Sequence, residues 1–207
     1  MRHLAPDRER LRELLRRHSL MFGDFTLASG RKSPYYFDSK RTTLLPEGSY
    51  LAAAEVLLTI SRQRIAADAI GGMTLGADPI VCPVAALSQI EGPALRAFIV
   101  RKEAKQHGTA CGIEGNLEPA SRVIVVDDVV TTGGSTLRAI EAVEQAGHRV
   151  VAVMCLVDRE EGGAEALARW PFHAMFRRDE IFGGAAGSAT EGSSSGAIPR
   201  DRASEER

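Results

Sequence analysis

Several things are scarce in this chain, and each scarcity excludes something. Cysteine occurs three times in 207 residues (Cys82, Cys111, Cys155), an odd number at wide spacing that makes neither a disulfide framework nor a metal-ligand cluster. No apolar run approaches the roughly 18–20 residues that would span a bilayer. The N-terminus, MRHLAPDRERLRELL, mixes acids and bases and lacks the apolar segment of a signal peptide. Net charge is almost absent: 26 Lys plus Arg against 27 Asp plus Glu leave −1. That excludes a protein acting mainly by bulk attraction to nucleic acid or an anionic membrane, though not a local charged patch. Neither G-x-G-x-x-G nor G-x-x-x-x-G-K-[ST] occurs, which argues against a dinucleotide site and against a P-loop. Lysine is rare as well. Of the 26 basic residues 22 are Arg, and the four lysines are Lys32, Lys40, Lys102 and Lys105. A reducing, cytoplasmic setting is expected, with no nucleic-acid or membrane partner.

The remaining composition, 44% apolar and 26% charged, is that of an ordinary globular chain with a sizeable core. Residues 184–207 are Gly, Ser and Ala with scattered charges, so they are expected to form a disordered tail, leaving 1–183 as the folded unit. Leu11, Leu14 and Leu15 after Pro6-Asp7 predict an amphipathic helix over 7–18. Turn formers and aromatics in 22–45 predict short strands and loops, and Pro46-Glu47 opens a helix through Ile60. Beyond it, strand-like runs at 68–71, 95–100, 122–127, 149–157 and 172–176 alternate with helical stretches at 79–90, 134–147 and 161–169. Continuous Val/Ile runs separated by helices predict an α/β fold. Its sheet should be doubly wound and mainly parallel, covered on both faces, with a small hood built from about residues 1–45.

The densest chemistry lies in Val123–Val143, VIVVDDVVTTGGSTLRAIEAV. A buried strand ends in Asp127 and Asp128, and a Thr/Gly/Ser loop then leads into a helix. In open α/β sheets ligands bind outside the carboxyl ends of strands. There Gly133 and Gly134 let the backbone turn its N–H groups toward one anion. The helix N-terminus and the hydroxyls of Thr131, Thr132, Ser135 and Thr136 add to the cup. A phosphate monoester fits it. The carboxylates suit vicinal sugar hydroxyls or a metal rather than a polyphosphate. The plain alternative is a turn with surface aspartates. VVDDVVTTGGST resembles the phosphoribosyl-pyrophosphate (PRPP) motif of the type I phosphoribosyltransferases. The resemblance implies that the loop holds the 5-phosphate and that the two acids contact the ribose hydroxyls.

Residues 101–116, RKEAKQHGTACGIEGN, follow another strand and crowd Arg101, Lys102, Lys105 and His107 into seven positions. Glycines at 108, 112 and 115 predict a segment that moves easily. A basic lid suits a reaction that releases pyrophosphate from an oxocarbenium-like carbon; a solvated surface loop is the alternative. RKEAKQHG resembles the catalytic loop of orotate phosphoribosyltransferases, which implies a homodimer whose lid reaches into the neighbouring subunit's site. His107 is read as electrostatic in its role, with proton donation to the leaving group as the alternative.

The aromatic cluster Tyr35, Tyr36 and Phe37 beside Arg31-Lys32 suits a planar anionic heterocycle, or else forms an ordinary hairpin core. FGDFTLASGRKSPYYF is similar to the N-terminal signature of the same family. The resemblance implies that the backbone at Tyr36 and Phe37 cradles orotate, which also touches Thr131 and pairs through its carboxylate with Arg159, whose alternative is a plain surface charge. Two positions depart from the pattern. Many members carry Lys where this chain has Ala28 and Leu75, and both lysines normally touch PRPP. The loop GGMTLGADP (71–79) still resembles a pyrophosphate loop.

Taken together, the resemblance covers about residues 7–182. It implies transfer of the 5-phosphoribosyl group from PRPP to orotate, giving orotidine 5′-monophosphate and pyrophosphate. The expected catalytic residues are Lys102, Lys105, His107, Asp127 and Asp128. Those expected to bind PRPP are Arg101, Lys102, Lys105, His107, Asp127, Asp128, Thr131, Thr132, Gly133, Gly134 and Ser135. Mg²⁺ is expected as cofactor, held mainly through PRPP and with no direct protein ligand. A phosphoribosyltransferase for another base and a non-catalytic PRPP-sensing regulator are the alternatives. The second should bring a DNA-binding module, and the sequence shows none.

Overall fold

Asp7 accepts a hydrogen bond from the backbone N–H of Arg10 at 2.9 Å and so caps the first helix, α1 (Arg8–Leu14), which continues into a π-helical turn, Leu15–Ser19. The computed structural model describes residues 4–26, 30, 32–102 and 112–183. After the π-helical turn comes an antiparallel hairpin, β1 (Leu20–Thr26) with β2 (Lys32–Phe37), whose register shifts between Phe22 and Phe25. A short helix α2 (Lys40–Thr43) precedes α3 (Pro46–Arg62), where Pro46 occupies the first turn and its missing N–H costs no hydrogen bond.

The Val/Ile runs then fold as strands: β3 (Ala69–Met73), β4 (Arg96–Val100), β5 (Ile113–Gly115), β6 (Arg122–Val130), β7 (Arg149–Asp158) and β8 (Phe172–Arg177). Helix α4 (Asp78–Glu91) joins β3 to β4, α5 (Gly134–Gln145) joins β6 to β7, α6 (Gly163–Ala166) precedes β8, and α7 (Arg178–Phe182) follows it. They form one sheet in the order β5-β4-β3-β6-β7-β8, parallel except for the edge strand β5. From β3 the chain winds outward to β4, then returns to the other side of β3 and winds outward again through β6, β7 and β8. The order therefore reverses between β3 and β6. Those two strands pair only from Ala69↔Val123 to Gly71↔Val125, whereas β6 and β7 remain paired as far as Val130↔Asp158.

Alternate residues of the sheet enter two cores. Ile70, Ile124, Val126, Met154 and Leu156 pack with residues of α1, α3 and α4, and Val123, Val125, Phe98 and Cys155 with Ala139, Ile140 and Val143 of α5. The doubly wound, mainly parallel α/β fold with an N-terminal hood is the expected one. Three details differ. Strand β6 runs past the acids to Val130, because β7 still offers it partners there. The helix expected over 161–169 is cut to α6 and a turn. The hood is also closed by a C-terminal residue: Phe182 of α7 packs on Tyr35 and Phe37 at ring-centroid distances of 5.1 and 5.3 Å.

Candidate active site

Successive residues of a strand point to opposite faces, so the adjacent acids of β6 look in opposite directions. Asp127 faces the start of α5. Its Oδ2 accepts the hydroxyls of Ser135 at 2.7 Å and Thr136 at 2.9 Å, and its Oδ1 accepts the Asp128 N–H. Burial pushes the Asp127 carboxyl up to about 6; the Asp128 charge adds to that, and the hydroxyl donors only partly offset it. Asp128 faces the hood, where Ser39 donates to its Oδ2 and the Lys40 ammonium stands 3.7 Å from the same oxygen. Its Oδ1 accepts the backbone N–H of Val129.

The phosphate loop follows directly. Gly133, at φ 81°, takes the left-handed conformation that turns the chain into α5. The first N–H groups of α5, from Gly134 onward, are those a helix leaves without an internal acceptor. Thr131 is half-buried and Thr132 exposed. The Ser135 and Thr136 hydroxyls serve Asp127 rather than the cup, because a buried carboxylate needs donors. That leaves its backbone N–H as the group Ser135 can present to an anion.

Across the β3–β6 reversal lies the loop after β3. A Cβ on Gly76 would stand 2.4 Å from Asp128 Oδ1 and 3.1 Å from Asp127 Oδ1, so only glycine lets this loop approach both acids. Leu75 is 65% exposed beside it. Thr74 N–H donates to Val100 O, which joins the loop to the root of the lid. There Arg101 pairs with Glu114 at 3.3 Å, and Lys102 is exposed. Lys105 and His107, like Ala28 and Arg31, lie outside the described residues.

Arg159 follows β7 and enters the same mouth from the other side. Its backbone N–H donates to Val130 O, and its guanidinium lies 6.0 Å from the Tyr35 ring centre and 5.8 Å from that of Phe182. Glu161 pairs with it at 2.9 Å, yet its buried Nε has no hydrogen-bond partner among the described residues. Tyr36, 44% exposed, stacks on Phe25 at 5.7 Å, and Phe37 turns the other way, onto Phe182. A hollow of about 450 Å³ lined by Leu57, Ile65 and Leu95 lies at the opposite, N-terminal end of the strands and contains none of these groups.

Among the described residues no group of three or more His, Cys, Asp or Glu could hold a metal ion. Each carboxylate oxygen of Asp127 and Asp128 already accepts a hydrogen bond. The donor set therefore fits a divalent cation carried by a phosphorylated ligand better than one caged by the chain. Ser39, Lys40 and Phe182 are the site groups that sequence reasoning missed. Only the rarity of lysine hinted at one of them.

An acid pair at a strand reversal, followed by a glycine turn into a helix start and flanked by Arg101 and Lys102 after β4, is an arrangement that suits a phosphoribosyltransferase. Comparisons with known proteins give that class. The family model described as "Phosphoribosyl transferase domain" matches residues 84–172. The orotate phosphoribosyltransferase of Aquifex aeolicus is 42% identical over 183 residues, 86% of this chain and 99% of that protein, and the one from a Bradyrhizobium strain is 43% identical, covering 98% of that protein. The Mycobacterium tuberculosis enzyme, solved in complex with PRPP, superposes with a TM-score of 0.68 at 35% identity, covering 85% of this chain and 99% of that one. The chain belongs to the orotate phosphoribosyltransferase family.

Proposed function

We propose that this chain transfers the 5-phosphoribosyl group of PRPP to orotate, giving orotidine 5′-monophosphate and pyrophosphate. The bond from C1 of the ribose to the pyrophosphate oxygen breaks, its electrons leaving on that oxygen. N1 of orotate supplies the pair for the new bond and releases its proton. The observation that carries the choice of acceptor is Arg159. A half-buried guanidinium, paired on one side with Glu161 and set beside aromatic rings, keeps a buried Nε without a partner among the described residues, which suits a planar ligand bearing a carboxylate.

In this reading the N–H groups of Gly133, Gly134 and Ser135, with Thr131 and Thr132, hold the 5-phosphate. Asp127 and Asp128 hold the ribose hydroxyls, and the backbone around Gly76 faces the pyrophosphate. Tyr36, Phe37, Thr131 and Arg159 receive orotate. Arg101, Lys102, Lys105 and His107 stabilise the charge that develops on the leaving group; His107 acts as a cation. Mg²⁺ carried in with PRPP would supply neutralising charge to the leaving group, with Asp127 and Asp128 as the nearby carboxylates. The protein itself orients the two reactants and excludes water.

The functional form is a homodimer in which the lid of one subunit serves the site of the other, a reading supported by the likeness of RKEAKQHG to the family's lid. Residues 1–183 form the catalytic domain, with about 1–45 as its hood, and 184–207 are a dispensable tail. The cytoplasm is the compartment proposed, supported by the unpaired cysteine pattern and by the lack of a helix, among the described residues, long and apolar enough to cross a membrane.

Incubation with PRPP, Mg²⁺ and a single base, followed by absorbance, tests the assignment. Orotate should be consumed in step with pyrophosphate release. Turnover of uracil or a purine but not orotate would overturn the reading in favour of another base.

A further inference from the structure

Lysine is rare here, and one of the four stands against the acid pair. Asp38, Ser39 and Lys40 close the hood onto the sheet. Ser39 is fully buried; its carbonyl accepts the N–H groups of Thr42 and Thr43, and its hydroxyl donates to Asp128 across 89 positions of sequence. That anchor fixes where Lys40 begins. Its ammonium lies 2.7 Å from Asp38 Oδ1 and 3.7 Å from Asp128 Oδ2. Asp128 thus stands between two neighbours, with Lys40 on its Oδ2 side and the backbone of Gly76 against its Oδ1.

We infer that Lys40 is a PRPP-contacting residue, whose ammonium supplies the pyrophosphate with positive charge at the edge of a loop that carries Leu75. The inference rests on the PRPP reading above. An ammonium has three donors; Asp38 stands at 2.7 Å, Asp128 at 3.7 Å acts through its charge, and the side chain is 38% exposed, so donors remain for a ligand. Lysine acts on phosphate as a point charge and needs no planar match. Burial works against the charged form, but Asp38 and Asp128 outweigh it and raise the Lys40 pKa, so the charge is present throughout the neutral range. A purely structural role accounts poorly for the residue. A half-exposed ion pair contributes little to stability, and Ser39 already ties the hood to Asp128.

The test compares the wild-type protein with Lys40→Met, Lys40→Gln and Lys40→Arg by steady-state kinetics and by the melting-temperature shift that Mg²⁺ plus PRPP produces without any acceptor. A charge-assisted contact to phosphate predicts a roughly ten- to hundredfold rise in KM for PRPP in the Met and Gln variants. Their PRPP-induced shift should be smaller, while KM for orotate stays within about twofold. Lys40→Arg, which keeps the charge, should recover most of the loss. The unliganded melting temperatures should stay close together. An unchanged KM for PRPP with an unchanged PRPP shift would overturn the inference, as would equal rises in both KM values or failure of the Arg variant to rescue. If Lys40→Met does not fold, Lys40→Gln carries the comparison. Wild-type protein that is stabilised by PRPP yet inert toward orotate would overturn the acceptor assignment alone, and the PRPP shift would still decide the role of Lys40.

Discussion

Asp127 carries a cost that the site requires. With its carboxyl pushed up to about 6 from an ordinary 3.8, the folded chain binds a proton between those values that the unfolded chain does not. Stability therefore falls as pH rises through that window, and the penalty, on the order of 2–3 kcal/mol, is fully present at neutral pH. Urea denaturation between pH 4.5 and 7 should show this fall in the wild type and lose that part of it in Asp127→Asn. Ligands that favour the ionised acid reverse the sign for binding, so PRPP with Mg²⁺ should bind more tightly above pH 6 than below. Arg159 makes the complementary case on the acceptor side. Arg159→Gln removes a half-buried, charge-assisted donor and should raise KM for orotate about ten- to hundredfold, with a much smaller effect on KM for PRPP.

The elements differ in how far the sequence disclosed them. Segment 123–143 was legible because its chemistry is contiguous: strand, acids, glycine turn and helix start follow one another, so local geometry alone puts Asp127 beside Ser135. The clasp of Ser39 on Asp128 was hidden, since nothing in the YYFDSK segment signals a partner 89 positions away. Helix α7 was hidden for another reason. Five residues are too short to show a helical period, yet they set Phe182 against both hood aromatics. Arg8 reinforces that closure through its 2.6 Å pair with Glu180. Phe182→Ala should accordingly cost about 3 kcal/mol in denaturant unfolding. It should also loosen Tyr35 and Phe37, raising KM for orotate more than KM for PRPP.

At the scale of the whole molecule, the near-zero net charge is an average over an acid pair and a cation-rich segment at 101–107. The proposed sharing of the site between subunits has a direct test. Lys105→Ala and Asp127→Asn homodimers should each be nearly inactive, whereas mixed subunits should regain up to about half the wild-type activity per complementing dimer, because one intact site is rebuilt. Activity measured across mixing ratios reads this out, and no recovery at any ratio would place lid and acids in the same subunit.

The sheet itself has a seam. Strands β3 and β6 stop pairing at Gly71↔Val125, two residues short of Asp127, while their outer neighbours remain zipped to Met73↔Val100 and Val130↔Asp158. The two halves of the molecule thus part like the upper edges of an open book, and the ligand enters as the stitch between the pages. In the proposed binding mode PRPP spans both margins, so it should slow amide exchange at Gly72–Gly76 and Val126–Asp128 together, as one cooperative unit. Orotate, proposed to meet the hood, Thr131 and Arg159 but no residue of the loop after β3, should leave the β3 margin exchanging as before.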